Sequence, residues 1–538
     1  MDDPLDAWLL FAPGVDHSPD AEIVSRSPDA DCHRLTYRAL GARAQQLMGA
    51  LDRLDLEPGA RVATLAWNGF RHLEAYFAVP CTSRVLHTLN LRLSPEELTF
   101  IMGDADDVAV LVDRDLLPLL ERIAVHLPRL RHVVVLDGEV PDTSLTGVIA
   151  YEDLIADEPT VYPRRPIPEL TPMGLCYTSG TTGRPKGVLY THRSSVLHAL
   201  GVTSAAGMSI GPGDSVLPQV PMFHANAWGM PYAASMVGAK QVFFAGPLEP
   251  QPFVDLLRSE RVTVTAGVPT VWLSVAEELA TSPPLTDLRH IVCGGAQPPR
   301  ALIDRYRDDF GLDIVQAWGM TETSPLASMA WPQERMRDWP EPQTAEAARY
   351  QAGLPLPGVR ISIRDEEGRP VPADGLSMGD LWVRGPWVTD GYLHGVGADC
   401  FSPDGWFRTG DVAVASASGY FVIADRTKDL IKSGGEWISS MELENALMGH
   451  PAVAEAAVIG VADDKWGERP LAAVVLAEGA TASAAELRAF LADRVPRWQL
   501  PERWSFIAEV PKTSVGKFAK TRMRDAYASG EYEVIEAR

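Results

Sequence analysis

Short β-rich runs alternate with helical periods over roughly the first 425 residues of the chain. RVATLAWNG is followed by FRHLEAYFAV, and VAVLVD is followed by RDLLPLLERIAVHL. This alternation is typical of layered α/β structure with largely buried sheets. At 538 residues the chain also exceeds the size at which one hydrophobic core stops growing.

The pattern changes after residue 428. There the sequence predicts a helix, two apolar strands that could pair, a second helix, a third strand and a closing helix, in the segments SSMELENALMGH, AEAAVIGVAD, RPLAAVVLAE, AAELRAFLADRV, RWSFIAEV and AKTRMRDAY. We therefore expect a large layered α/β domain over residues 1–427 and a small α+β domain over residues 428–538.

Composition narrows the classes of partner and compartment. The formal charge of −23 argues against nucleic acid, because phosphate backbones need a basic surface. No stretch approaches the roughly 18 uninterrupted apolar residues of a membrane span, and the acidic start MDDPLDAWLLFAPG lacks the charge of a signal peptide. Five scattered cysteines without metal-ligand spacing fit a reducing compartment. We expect a cytoplasmic protein without an integral membrane segment.

The segment YTSGTTGRPKGV, residues 177–188, predicts a polyphosphate-binding loop after the apolar strand MGLC and before the helical THRSSVLHALGV. Glycines free the backbone to wrap a phosphate, hydroxyls offer donors, and a lysine brings charge. The segment does not match the Walker pattern, and a flexible surface turn is the alternative. The candidate residues are Thr178, Ser179, Gly180, Thr181, Thr182, Gly183 and Lys186.

This segment resembles the phosphate loop of the superfamily that contains acyl-CoA synthetases, firefly luciferase and the adenylation domains of peptide synthetases. Four further segments match the superfamily in the same order: QAWGMTETSP, GWFRTGDVA, DRTKDLIKSGGEWISS and VPKTSVGKFAK. The resemblance extends from about residue 170 to residue 520. It implies a two-domain enzyme that uses ATP and Mg²⁺ to form an acyl-adenylate, with the small domain acting as a mobile lid.

The resemblance assigns the nucleotide site. Trp318 would stack on adenine, Thr321 would contact phosphate and Glu322 would reach Mg²⁺, a hard cation that prefers oxygen ligands. Asp411 would accept from both ribose hydroxyls. Without the neighbouring motif residues, the alternative interpretations are that Trp318 is a core aromatic and that Asp411 is part of an ordinary turn. The remaining candidates are Gln316, Gly319, Arg426 and the adenine-pocket wall formed by Gly294, Gly295 and Ala296.

The lid residues follow from the same resemblance. Lys428 matches the hinge, and Lys517 would reach into the active site to stabilise charge at the α-phosphate, although a lysine before a helix is more often solvated. Lys432 and Trp437 are further candidates for nucleotide or coenzyme A contacts, with a charged interdomain loop as the alternative for Lys432. Gly434 and Gly435 would allow backbone to approach a ligand closely.

The segment PMFHANAWGMPY resembles the acyl site of bacterial fatty acyl-CoA synthetases, where the histidine walls the pocket and the tryptophan gates it. These residues are His224 and Trp228, and a structural histidine and a packed core tryptophan are the alternative. The segment carries no charge apart from His224, so an apolar acyl tail is expected. Arg84 and Leu91 depart from the superfamily pattern, and Arg84, in a stretch that normally holds small residues, is a candidate for altering subunit packing or an entrance.

The predicted function is that of an AMP-forming acid–thiol ligase that activates an apolar carboxylic acid, of medium or long chain, and transfers it to coenzyme A. Thr178, His224, Glu322 and Lys517 form the predicted catalytic set, and a homodimer is expected from the resemblance. The alternatives are an aryl, cinnamate-type or short-chain acid ligase, an acyl-AMP ligase that feeds a carrier protein, a luciferase-like oxygenase, and a non-catalytic nucleotide- or acyl-binding regulator.

Overall fold

The computed structural model describes residues 3–27, 32–178, 184–513 and 517–537. Four β-sheets organise these described residues, three of them in the large N-terminal domain and one in the small C-terminal domain. No helix among them is long and apolar enough to cross a membrane.

The large domain contains strands and helices in alternation. Its strands are β1 (Glu22–Arg26), β2 (Cys32–Thr36), β3 (Arg61–Leu65), β4 (Val85–Thr88), β5 (Ala109–Val112), β6 (His132–Val135), β7 (Val148–Ala150), β8 (Pro172–Tyr177), β9 (Gly187–Thr191), β10 (Ser215–Pro218), β11 (Lys240–Phe244), β12 (Val264–Gly267), β13 (His290–Cys293), β14 (Asp313–Gly319), β15 (Leu326–Met329), β16 (Leu354–Pro355), β17 (Arg360–Arg364), β18 (Met378–Arg384), β19 (Phe407–Ala415) and β20 (Phe421–Arg426). Its helices are α1 (Trp8–His17), α2 (Tyr37–Arg53), α3 (Phe70–Cys81), α4 (Pro95–Asp104), α5 (Leu117–Ala124), α6 (Tyr151–Ile155), α7 (His192–Thr203), α8 (Ala225–Trp228), α9 (Met230–Val237), α10 (Pro250–Ser259), α11 (Pro269–Thr281), α12 (Arg300–Phe310) and α13 (Glu341–Thr344).

Two of the large domain's sheets are mainly parallel. One runs β7-β6-β5-β3-β4-β8-β9 and the other β16-β15-β14-β13-β12-β10-β11-β1-β2, with antiparallel pairs only at their edges among the described residues. Strands β5, β12 and β13 are buried along their whole length, as parallel strands covered on both faces must be. The predicted layered α/β architecture is confirmed.

Two features of the large domain differ from the sequence-based expectation. Strands β17 to β20 form a separate antiparallel sheet, which the expectation of layered α/β structure with largely buried sheets did not specify. The predicted phosphate loop is followed by strand β9 before the helix begins, because β9 pairs antiparallel with β8 and returns the chain along it. The loop therefore connects two paired strands.

The small domain contains β21 (Ile431–Ser433), β22 (Glu436–Ile438), β23 (Val453–Asp463), β24 (Gly467–Leu476), β25 (Arg503–Phe506) and β26 (Ile535–Glu536), with helices α14 (Ser440–Met448), α15 (Ala484–Ala492) and α16 (Lys520–Ala528). Strands β23 and β24 pair antiparallel, and every helix and strand predicted here lies where the pattern placed it. Alternate residues of β23 face different clusters: Ala456 and Val458 pack with α14 and α15, whereas Ala457 and Ile459 pack with Met523 of α16.

The β21–β22 hairpin lies in the segment that the sequence indicated as a hinge loop. Gly434 and Gly435 form its two-residue turn at φ values of 63° and 92°, a conformation that favours glycine in tight hairpins. The positive φ values required by this turn thus explain why both positions hold glycine.

Arg84 is buried within its own chain, where it donates to the carbonyl oxygen of Leu56 at 3.1 Å and to Asp52 at 2.9 Å. It therefore holds the end of α2 against the start of β4. Leu91 packs in the hydrophobic cluster around α4 and α5.

Candidate active site

Two adjoining cavities lie where the small domain meets the large one. The larger, of about 390 Å³, is lined by the predicted residues Thr178, Lys186, His224, Trp228, Gly294, Gly295, Trp318, Gly319, Thr321, Glu322, Arg426, Lys428 and Lys517. The smaller, of about 220 Å³, is lined by Gly295, Ala296, Gln316, Trp318, Gly319, Asp411, Arg426 and Lys517. Residues that are far apart in sequence therefore surround one continuous region.

The two ends of the predicted phosphate loop are bonded to each other. The backbone nitrogen of Thr178 donates to the carbonyl oxygen of Lys186 at 3.0 Å, and the nitrogen of Lys186 donates to Oγ1 of Thr178 at 3.2 Å. The five residues between Thr178 and Arg184, namely Ser179, Gly180, Thr181, Thr182 and Gly183, lie outside the described residues. These bonds close the base of the loop, and both Thr178 and Lys186 line the larger cavity.

Glu322 is buried beside the larger cavity, with 5% of its surface exposed. Its Oε1 accepts a hydrogen bond of 2.6 Å from the hydroxyl of Tyr392. Burial raises the pKa of Glu322, and Tyr392, Arg426 and Lys517 act against that rise. A cation at this carboxylate would therefore favour the ionised form.

Tyr392 is a site residue that sequence reasoning missed. Its ring lies 4.8 Å from the amino group of Lys186, so the same side chain contacts the predicted phosphate lysine and the predicted metal carboxylate. It follows Glu322 by 70 residues and belongs to none of the recognised motifs. No local pattern could have identified it.

Trp318, Asp411 and Arg426 form a hydrogen-bonded chain between the two cavities. The indole Nε1 of Trp318 donates to Oδ2 of Asp411 at 3.0 Å, and Nε of Arg426 pairs with Oδ1 of the same carboxylate at 2.7 Å. Asp411 and Arg426 are direct partners in the β19–β20 ladder. Each carboxylate oxygen keeps lone-pair capacity for a ligand hydroxyl while its protein partner fixes its direction.

Lys517 enters the site from the small domain. Its side chain is half-buried and lines both cavities. Burial and the nearby Arg426 lower the pKa of Lys517 to about 8, while Asp411 and Glu322 act in the opposite direction. At a pH below about 8 the amino group is therefore a cation that interacts with the carboxylates of Asp411 and Glu322, and it can also stabilise negative charge on a ligand.

His224 and Trp228 also line the larger cavity. Between them α8 is a left-handed turn: the φ values of residues 225–228 are 42°, 53°, 48° and 56°, and Gly229 follows at 74°. A left-handed conformation costs a non-glycine residue roughly 1–2 kcal/mol, so the surrounding packing must hold this turn. Asn226 contributes by accepting a hydrogen bond from Sγ of Cys176 at 3.2 Å.

The indole of Trp228 lies against the backbone of Gly294 and Gly295. A Cβ atom at Gly294 would lie 3.1 Å from the Trp228 ring and 2.7 Å from the carbonyl oxygen of Ala317, so only glycine fits there. Trp228 is 7% exposed. Burial lowers the pKa of His224 to about 3, and Lys517 and Arg92 add to the effect, so the imidazole is neutral at physiological pH.

The hairpin residues do not line either cavity. Lys432 lies on β21, Trp437 lies on β22, and Gly434 and Gly435 form the turn between them. The amino group of Lys432 is 4.3 Å from the centre of the Trp437 ring, and the nitrogen of Gly434 donates to the carbonyl oxygen of Trp466 at 2.8 Å. In this arrangement of the two domains, the four hairpin residues are separated from the other predicted site residues. A contact between the hairpin and a nucleotide in the cavities would require a different arrangement of the domains.

The fold and the site define a two-domain adenylate-forming enzyme. Residues 11–393 match the AMP-binding enzyme family and residues 442–517 match the AMP-binding enzyme C-terminal domain, so the chain belongs to the AMP-binding enzyme family.

The chain is similar to characterised ligases over nearly its whole length. It is 46% identical to a long-chain-fatty-acid–CoA ligase of Thermus thermophilus, over 98% of this chain and 96% of that one. It is 41% identical to a 3-methylmercaptopropionyl-CoA ligase of Ruegeria pomeroyi, over 96% and 97%. Among solved structures, the anthranilate CoA ligase AuaEII in complex with anthranoyl-AMP superposes with a TM-score of 0.87 at 26% identity, covering 98% of this chain and 99% of that one.

Proposed function

We propose that the protein is an ATP-dependent acyl-CoA synthetase that activates a medium- or long-chain fatty acid as an acyl-adenylate and transfers the acyl group to coenzyme A. The observation that carries the proposal is the meeting of Lys517 with Glu322, Lys186 and Trp228 around one cavity. A cation from the small domain thus lines the same cavity as candidate phosphate-binding residues and apolar side chains.

The cavity wall is divided by chemistry. Thr178, Lys186 and Glu322 lie together with Tyr392, whereas Ala225, Trp228, Ala317, Pro325 and Leu326 supply apolar surface. Because His224 is neutral at physiological pH, the acyl end holds no charge from that side chain. An apolar acyl tail is accommodated there more readily than the ammonium group of an amino acid, which would need a carboxylate partner.

In the first half-reaction Thr178 and Lys186 hold the β- and γ-phosphates of ATP, and Asp411 binds the ribose. The carboxylate of the acid attacks the α-phosphorus, and Lys517 stabilises the negative charge that develops as pyrophosphate leaves. Trp318 and the backbone of Gly295, which line both cavities, bound the adenine.

The residues present fit a magnesium ion. Glu322 offers one carboxylate oriented by Tyr392, and Mg²⁺ in nucleotide sites is usually held by one or two carboxylates together with phosphate oxygens. Among the described residues no group of three or more His, Cys, Asp or Glu side chains is placed to hold a metal, so the ATP oxygens must complete the ligand set. When bound, the ion neutralises phosphate charge.

In the second half-reaction the small domain turns about Lys428. We place the domain boundary at residues 427 and 428, after the last strand of the antiparallel sheet. Rotation withdraws Lys517 and presents the Gly434–Gly435 turn, with Lys432 and Trp437, to the acyl-adenylate. The thiol of coenzyme A then attacks the acyl carbonyl and AMP leaves.

We further propose that the enzyme is a cytoplasmic homodimer. The five cysteines are all free thiols in the structure, which fits a reducing compartment. The dimer rests on the resemblance to fatty acyl-CoA synthetases.

A screen of pyrophosphate release tests the proposal. Short, medium and long fatty acids and aryl acids are supplied with Mg-ATP, with and without coenzyme A, and acyl-CoA is measured in parallel. We expect the highest kcat/KM for a medium or long fatty acid and acyl-CoA as the product. A preference for aryl acids or for short acids such as the thioether acid of the Ruegeria relative would replace the substrate assignment.

The same screen separates the other functions. Accumulation of acyl-adenylate that coenzyme A does not consume would favour a ligase serving a carrier protein or an oxygenase. Absence of pyrophosphate release with every acid would favour a non-catalytic binding protein.

A further inference from the structure

A buried cluster of charged and hydroxyl groups joins the two domains beside the smaller cavity. Oδ2 of Asp425 accepts hydrogen bonds from both the backbone nitrogen of Ser440, at 2.7 Å, and the hydroxyl of Ser440. The amino group of Lys520 donates to that hydroxyl at 2.6 Å and pairs with Oε1 of Glu444 at 2.7 Å. All four residues are at most 9% exposed.

The cluster spans the proposed hinge. Asp425 is on β20, three residues before Lys428, whereas Ser440 and Lys520 belong to the small domain. A second bond lies beside it, from the hydroxyl of Ser439 to the carbonyl oxygen of Ala424. Turning the small domain about Lys428 requires these bonds from the large domain to break.

The cluster also fixes the segment that carries Lys517. Lys520 is the first residue of α16 and follows Lys517 by three residues. With its amino group held by Ser440 and Glu444, the start of α16 is tied to α14, and through Ser440 to Asp425 of the large domain. The position of Lys517 in the cavities therefore depends on these bonds.

Each side of the cluster keeps a partner when the domains separate. Asp425 retains the backbone nitrogen of Arg426, which donates to Oδ1 at 2.8 Å. Lys520 and Glu444 are both in the small domain, and Glu444 also accepts from the backbone nitrogen of Val458 at 2.8 Å. Because each charged group keeps a hydrogen-bonding partner, the contact can open and close. This differs from a buried ion pair in which removing one partner leaves the other charge without compensation.

We propose that Asp425, Ser440 and Lys520 form a latch across Lys428 that holds the small domain in the adenylate-forming arrangement, with Lys517 in the active site. The latch rests on the proposed two-step function. Its members are positioning residues, because they act through Lys517. The latch favours the first half-reaction and must open for the second.

Ser440→Ala tests the latch, because it removes the hydroxyl that links Asp425 to Lys520 and leaves the backbone bond of residue 440 in place. Ser483→Ala is the matched control: Ser483 caps α15 through Glu486 in the same domain and its recorded hydrogen bonds stay within that cap. Adenylate formation is measured by pyrophosphate release, and thioester formation is measured from supplied acyl-adenylate and coenzyme A.

We expect Ser440→Ala to lower adenylate formation by about three- to tenfold, which is within the range for losing one hydrogen bond of ordinary net strength, without slowing thioester formation. Ser483→Ala should leave the ratio of the two rates at the wild-type value. An equal loss of both half-reactions in Ser440→Ala, or an unchanged ratio, would overturn the latch. If Ser440→Ala does not fold, Asp425→Asn is judged by the same ratio.

An activity-independent measurement separates the latch from the proposed function. The chain has only eight lysines, so labelling of Lys517 by an amine-reactive reagent can be followed by mass spectrometry on the enzyme without substrates. Ser440→Ala should label Lys517 several-fold faster than wild type and Ser483→Ala. Equal labelling in all three proteins would overturn the latch, whereas absence of adenylation in the wild type with faster labelling in Ser440→Ala would overturn the proposed function alone.

Discussion

The hydroxyl of Tyr392 donates a 2.6 Å hydrogen bond to Oε1 of Glu322, across 70 residues of sequence. The bond orients a buried carboxylate and favours its ionised form, since Tyr392 acts against the rise in pKa that burial imposes on Glu322. The predicted metal carboxylate thus depends on a tyrosine outside every recognised motif.

Tyr392→Phe should lower kcat/KM for adenylate formation about tenfold, because the carboxylate loses a charge-assisted hydrogen bond. The magnesium concentration for half-maximal activity should rise as well. The phenyl ring keeps the contact with Lys186. Tyr306→Phe is the control, since Tyr306 donates to the carbonyl oxygen of Trp272 in a separate part of the core. An unchanged magnesium requirement would contradict the role of Tyr392.

Lys517→Ala should reduce adenylate formation by about 10²- to 10³-fold, the usual loss for one charge-stabilising donor. Thioester formation from supplied acyl-adenylate should be spared, because the proposed rotation of the small domain withdraws Lys517 before that step. The two half-reactions are measured separately. A similar decline in both would show that Lys517 supports the fold and not the charge at the α-phosphate.

Adenylate formation should decline as the pH rises through about 8. Burial and Arg426 lower the pKa of Lys517 to about 8 from 10.5, while Asp411 and Glu322 oppose them, so the free enzyme loses the required cation above that pH. The pH profile of kcat/KM for ATP reports this ionisation. His224 also faces Lys517, but its pKa of about 3 keeps it neutral throughout.

The same lowered pKa has a consequence for stability. The fold favours neutral Lys517, so the group's contribution to stability is full above pH 10.5 and is lost as the pH falls through about 8. Lys517→Met should therefore raise Tm at pH 7 and change it little at pH 10.5.

Lys517→Arg tests whether Lys517 causes the decline of activity near pH 8. The arginine stays charged, so the activity that this variant retains should not decline near pH 8. A pH profile like that of the wild type would assign the decline to another group.

Trp228→Ala should change the ranking of acids by kcat/KM while leaving Tm near the wild-type value, if the indole is a movable contact over the acyl end of the cavity. Trp272→Ala is the reference for a core tryptophan and should cost about 3–5 kcal/mol of folding free energy. A comparable loss of Tm in Trp228→Ala, with the substrate ranking unchanged, would place Trp228 in the core and remove it from the acyl site.

Lys428→Pro should leave adenylate formation largely intact and abolish thioester formation, because proline fixes φ near −65° and removes the freedom of a hinge. Lys428→Ala, which keeps that freedom, is the control and should support both steps. The variant's fold is checked by circular dichroism. Equal loss of the two half-reactions in a folded Lys428→Pro protein would move the hinge elsewhere.

Much of the site could be predicted because its chemistry lies in contiguous segments. Trp318, Thr321 and Glu322 are neighbours in sequence, and the glycines that let a backbone approach a ligand or another chain segment are visible as glycines. Hydrophobic periodicity likewise predicted α14, β23, β24, α15, β25 and α16 of the small domain in their order, since the repeats of helices and strands are set within a few residues, whereas the short strands β21, β22 and β26 were not predicted.

Only the tertiary structure decided how the segments meet. It brought Tyr392 to Glu322, joined Trp318 to Asp411 across 93 residues, set the left-handed turn before Trp228 and placed the hairpin of Lys432 and Trp437 away from the cavities. It also buried Arg84 against its own chain. Such contacts depend on the packing of whole sheets and domains, so a short stretch of sequence does not determine them. The identity of each chemical group, in contrast, can be read directly from the residue that carries it.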